Sequence, residues 1–256
     1  MLPAEPMEQH LDRLRRAIAD PTGDTLVDAA ESRALGVAAI DAALGGGLAG
    51  ASLHEISATS PLHLGAAAGF ALALAARAPD PHRQALWIVT DFGALETGAL
   101  YGPGLDQLGL STDRLLIAHL ARPVDALFAM EEALKCRALA TVVAEFAEAP
   151  DLTATRRLSL AARDGGGIGL MLRHKPNAAP SAARTRWQVA GARSLPDEFG
   201  GLGQTAFTLS LLRNRRGPCG TWTITWDHHE HVFSALSLGV DAAAADRPDR
   251  EALRTG

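Results

Sequence analysis

Apolar positions run through this chain in two rhythms. Residues 36–57, GVAAIDAALGGGLAGASLHEIS, predict a short helix, a glycine-rich turn and a strand ending near Ser57. HLGAAAGFALALAAR (63–77) predicts an apolar, alanine-rich helix, and QALWIVTD (84–91) a nearly continuous apolar strand that closes on an acid. DRLLIAHL (113–120) and ATVVAEFA (140–147) read as strands on either side of the helix PVDALFAMEEALKC (123–136), which proline opens. TATRRLSLAARD (153–164) is an amphipathic helix stopped by Gly165, Gly166 and Gly167, and GIGLMLRH (167–174) a further strand. Strands that read as buried on both faces, with helices between them, predict a mainly parallel sheet covered on both sides.

Beyond residue 184 the helical period stops. RTRWQVAGARS (184–194), AFTLSLLRNRR (206–216) and GTWTITWDH (220–228) predict successive antiparallel strands. In the last, Trp222, Ile224 and Trp226 alternate with Thr221, Thr223 and Thr225, as one buried face requires. Residues 8–19, EQHLDRLRRAIA, place Leu11, Leu14 and Ile18 on one stripe of a charged helix, which either packs on its own domain or docks on a partner. The tail from Asp241 is polar and expected to be loose. The organisation expected is a helical arm over 1–30, an α/β core over 31–235 and a tail over 236–256.

Composition narrows the class. The chain has 256 residues, 47% of them hydrophobic and 21% charged, which is ordinary for a globular protein. A net charge of −5 argues against a surface that grips nucleic acid throughout, while permitting a local basic patch. Two cysteines, Cys136 and Cys219, make neither a disulfide framework nor a zinc site and are expected to be buried thiols. No run approaches the roughly 18–20 apolar residues of a spanning helix, and the first residues lack a signal-peptide core; a cytoplasmic protein is expected.

The stretch ISATSPLHLG (56–65) stands where a nucleotide-binding chain carries its phosphate cradle. A P-loop needs G-x-x-x-x-G-K-[ST], so that backbone N–H groups face the phosphates, lysine meets the β/γ charge and a hydroxyl holds magnesium. Here the anchoring glycines and the lysine are missing, and Pro61 removes a donor. His63 is a poor substitute for an ammonium, and Ser57, Thr59 and Ser60 are expected to cap the following helix. A helix N-terminus holds an anion without lysine, which leaves faint nucleotide binding open. Hydrolysis is not expected.

These residues carry a resemblance. Ile40, Asp41, Ala43, Leu44, Gly46, Gly47, Leu48, Gly50 and Glu55 match the segment that leads into the P-loop of RecA. Asp91 falls where RecA-like ATPases end a strand in their catalytic glutamate. VVAEF falls at the Walker B strand, with Ala144 in the aspartate position and Glu145 after it. With the degenerate loop, RTRWQVAGARS and LRNRRGPCGTWTITWD, the chain resembles the ImuA family over about residues 35–232. The resemblance implies a RecA-like P-loop NTPase-type core with a degenerate Walker A, no ATPase activity and no cofactor. It further implies a non-catalytic partner of ImuB and the error-prone DnaE-type polymerase in translesion synthesis during the SOS response to DNA damage, with RecA itself a further partner. A SulA-type division inhibitor acting on FtsZ and a weak DNA-dependent ATPase are the alternatives.

Basic residues supply the remaining candidates. Arg213, Asn214, Arg215 and Arg216 resemble a basic-Asn-basic segment at RecA-like subunit interfaces, and Arg213 and Arg215 share one side of a strand. A partner contact and a solvated strand end are equally open there. Residues 173–186 take the position of RecA's second DNA-binding loop. Arg173, Lys175, Arg184 and Arg186 would there neutralise a few phosphates in a salt-sensitive way, with no aromatic to stack a base. HHEH (228–231) offers at most His229 and His231 on one face of an extended strand, too few for zinc. Asp91 and Glu145 are expected to survive as acids that satisfy buried polar groups.

Overall fold

The computed structural model describes residues 32–236, apart from 79, 81, 177, 197–200 and 202. The stripe of Leu11, Leu14 and Ile18 and the tail from 237 lie outside the described residues.

The described residues start with β1 (Ser32–Arg33), α1 (Ala38–Leu44) and β2 (Leu48–Ala49), β1 and β2 forming a small antiparallel ladder. Asp41 folds this lead-in back on itself, its carboxylate accepting from the N–H groups of Leu35 and Gly36 at 2.7 and 2.9 Å. At Gly47 φ is +133°, and a Cβ would stand 2.6 Å from the backbone of Arg33 and Ala34. Only glycine lets the two chains pass so closely.

Next come β3 (Leu53–Ala58), α2 (Leu64–Ala76), β4 (Gln84–Thr90), the short helices α3 (Asp91–Thr97) and α4 (Gly102–Gln107), and β5 (Leu115–Leu120). Then α5 (Pro123–Lys135), β6 (Leu139–Phe146), α6 (Leu152–Gly165) and β7 (Ile168–Arg173) complete the α/β part. β8 (Thr185–Ala192), β9 (Thr205–Asn214), β10 (Gly220–Asp227) and β11 (Val232–Ala235) follow without a helix. All but the first two strands join one nine-stranded sheet, ordered β11-β10-β9-β8-β3-β7-β6-β4-β5. From β8 to β5 every pairing is parallel, and from β8 to β11 every pairing is antiparallel.

Two apolar layers sit on opposite faces. Trp87, Val143, Leu170 and Ile56 point toward α2, joined by Trp187 and Phe207 from the antiparallel end. Ile88, Val142, Ala144 and Met171 point toward α5 and α6, against Met130, Leu134 and Leu158. Where α5 meets α6 a Cβ on Gly165 would lie 1.9 Å from the Leu134 carbonyl oxygen, so glycine sets how closely the helices approach.

Several expectations change. β5 is an edge strand with Leu116 and Ile117 nearly half exposed, not a strand buried on both faces. The 91–107 stretch holds two short helices that its glycines hide from a periodicity reading. HHEH is a turn between β10 and β11, because the Asp227 carboxylate accepts from the N–H groups of His229 and Glu230 at 2.8 and 2.9 Å. Both cysteines are exposed: Cys136 ends α5 and Cys219 lies in the β9–β10 turn. Among the described residues no helix is long and apolar enough to cross a membrane.

Candidate functional site

β3 is flanked by parallel neighbours on both sides, and its carboxyl end opens on the sheet edge where α/β proteins bind ligands. Strand register places Ser57 level with Arg173 of β7, and Arg173 level with Phe146 of β6. Thr59, Ser60 and Asp91 therefore project past that edge, while Glu145 sits one step inside it.

The 57–64 loop is bonded to itself and to β8. The Ser57 hydroxyl donates to the Trp187 carbonyl at 3.1 Å, and the Thr59 N–H to the Val189 carbonyl at 3.1 Å. The His63 N–H donates to the Ser60 carbonyl, and the Leu64 N–H to that of Pro61. The Gly191 N–H in turn donates to Nδ1 of His63 at 3.1 Å. Three amides that a phosphate would need are thus consumed within the protein, Pro61 has none, and the His63 ring is engaged. Ser60 stands at the N-cap of a 3-10 turn (Pro61–His63), yet neither it nor His63 at the α2 N-cap makes a side-chain capping bond. The expected capping by Ser57, Thr59 and Ser60 gives way because Ser57 turns into the sheet and the loop closes through its backbone. Leu62, at the loop tip, is 93% exposed.

The two acids part company. Glu145 is buried, accepting from the Trp87 indole N–H at 2.7 Å on one oxygen and lying 3.5 Å from Nε2 of His174 on the other. Asp91 is exposed in the first turn of α3, where its charge favours the helix N-terminus. No grouping of three or more metal-binding side chains forms among the described residues.

The basic candidates also divide. Arg186 is tied to buried Glu55 at 2.5 Å and donates to the Ala179 carbonyl at 2.8 Å. Arg173 is buried; burial pulls its pKa below the usual arginine value, with Glu55 opposing and Arg186 reinforcing that shift. Lys175 is exposed and does not line the cleft that Arg184 joins. Asn214 reaches back to the Ala43 carbonyl at 2.8 Å, locking the end of β9 onto α1, and Oδ1 of the same side chain accepts from the Arg216 N–H. Arg213 and Arg215 turn the other way, Arg213 donating to the Ser181 carbonyl at 2.8 Å. Together with Arg184 they line a cleft of about 610 Å³ beside α6. Arg156 and Arg163, which the sequence reading passed over, complete that lining. Their spacing of seven on one helix face was the available signal.

A third polar cluster was not anticipated. His54 is fully buried, its Nε2–H donating to the Ala49 carbonyl at 2.9 Å. The Trp187 indole donates to the Thr185 hydroxyl at 2.8 Å, which donates to Nδ1 of His54 at 2.7 Å. The Ala49 carbonyl can only accept, which fixes a proton on Nε2, and full burial keeps the imidazole neutral, so Nδ1 is left to accept from the hydroxyl. Burial lowers its pKa to about 3, with the bond to Ala49 opposing and the charges of Arg184 and Arg33 reinforcing.

No protein-family model matches the chain. Two curated relatives, the Protein ImuA of Caulobacter vibrioides strains NA1000 / CB15N and ATCC 19089 / CIP 103742 / CB 15, are each 37% identical to it over 164 residues. The match covers 57% of this chain and 66% of each relative, so the chain spans just under two thirds of their length. On that identity, added to the lead-in, loop and strand motifs placed above, the chain belongs to the ImuA family.

Proposed function

We propose that this chain is a non-catalytic accessory protein of a DNA-damage-inducible mutagenesis cassette, built on a RecA-like core whose Walker A has degenerated. It binds ImuB, supports error-prone translesion synthesis by a DnaE-type polymerase within the SOS response, and works in the cytoplasm. The observation that carries the reading is the closed 57–64 loop: the N–H groups of Thr59, His63 and Leu64 and the Ser57 hydroxyl face β8 or the loop's own carbonyls, and no lysine is there to meet a triphosphate. Membership of the ImuA family supports the mutagenic setting. The central β3, followed by a helix and flanked by the strands that end near Asp91 and Glu145, supports the RecA-like core.

Partner contact is assigned to the arm at Leu11, Leu14 and Ile18 and to the basic end of β9 at Arg213, Arg215 and Arg216, with any DNA or RecA contact secondary. Co-expression with ImuB is the test. Retention of ImuB through affinity purification, reduced when residues 1–30 are deleted, is the expected result. Failure of the two chains to co-purify removes the reading, as does phosphate release from ATP that Asp91→Asn abolishes.

A further inference from the structure

The arginine cleft beside α6 has no role in the function proposed above beyond the end of β9. It lies where the α5–α6 layer stops, bounded by the start of β3 and the segment leading into β8. Arg156 and Arg163 come from α6, Arg184 from just before β8, and Arg213 and Arg215 from the end of β9. No carboxylate lines it among the described residues, in a chain whose net charge is −5. Guanidinium groups crowd one another here: after burial, the charge of Arg215 is the largest influence lowering the pKa of Arg213. An anion entering the cleft relieves that repulsion and meets planar forks suited to bidentate pairing.

The apolar lining decides which anion. Along α6, Leu152, Arg156, Leu160 and Arg163 follow at helical spacing, so cationic and apolar side chains take turns down one wall. Leu160 is 55% exposed there, and Leu53 and Pro180 add apolar surface. No aromatic side chain lines the cleft among the described residues, so a nucleobase has nothing to stack on. A phosphodiester backbone would also leave the leucines uncovered. We infer that this cleft binds a short acidic segment of a partner protein, one in which carboxylates alternate with aliphatic side chains. Its volume is within the range of sites for small ligands, and arginine clusters recognise acidic motifs elsewhere by the same pairing. The site shares Arg213 and Arg215 with the partner contact proposed above, and a peptide array without ImuB reads it separately from ImuB capture.

An array of eight-residue peptides tests this, with aspartate or glutamate alternating with leucine, isoleucine or valine, beside all-glutamate peptides and an oligothymidylate. The full chain is the probe, and Arg156→Ala/Arg215→Ala, at two exposed positions, is the variant. The expected result is retention on a subset of alternating peptides above the all-glutamate level. The variant, with an unchanged thermal melt, loses about a hundredfold, about tenfold for each of the two charge-assisted pairs removed. Equal binding by the variant, no preference for alternating peptides, or capture of oligothymidylate in their place overturns the inference.

Discussion

His54 shows how one side chain couples fold to pH. In the unfolded chain its imidazole takes up a proton near pH 6.5, whereas in the folded protein it stays neutral until about pH 3. The unfolded state therefore binds more protons between those values. The contribution of this residue is intact above pH 6.5 and is lost as pH falls, at up to about 1.4 kcal/mol per pH unit. Urea midpoints measured from pH 7 to 5 should fall in wild type, and His54→Gln should flatten that part of the slope. Glu145 makes a second residue-scale prediction. Glu145→Ala strands the buried Trp87 N–H and should cost about 1–3 kcal/mol in urea unfolding. The sequence showed Glu145 as an acid satisfying a buried polar group but not that Trp87 is its partner. The His54 network was not legible at all, because Trp187 and Thr185 lie more than a hundred residues away and only strand register brings them together.

At the scale of elements, the parallel strands and long helices were readable because burial on two faces leaves an unbroken apolar run. β5 has the same composition and is nevertheless an edge, since sheet order is a tertiary property. α3 and α4 escaped because Gly93, Gly102 and Gly104 read as loop. The loop after β3 was read correctly as lacking lysine, but its closure onto β8 through Thr59 and His63 could not be seen without knowing which strand lies beside it. That closure has a consequence: supplying charge alone will not restore a cradle. His63→Lys should give no Mg-ATP binding by equilibrium dialysis, because the amides remain engaged. At the α5–α6 crossing, Gly165→Ala forces the helices apart and should cost about 1–3 kcal/mol, seen as a lower melting temperature.

Across the whole molecule, the antiparallel end was expected to grade out of the α/β core, and β8 is where the two meet. It pairs parallel with β3 on one side and antiparallel with β9 on the other. Phe70 of α2 lies near Trp187, Phe207 and Phe233, bridging residues from both parts in one aromatic cluster. A seam shared in this way leaves neither half a surface along which to come away by itself. Calorimetry on residues 32–236 should therefore record one endotherm, with the van't Hoff and calorimetric enthalpies in agreement.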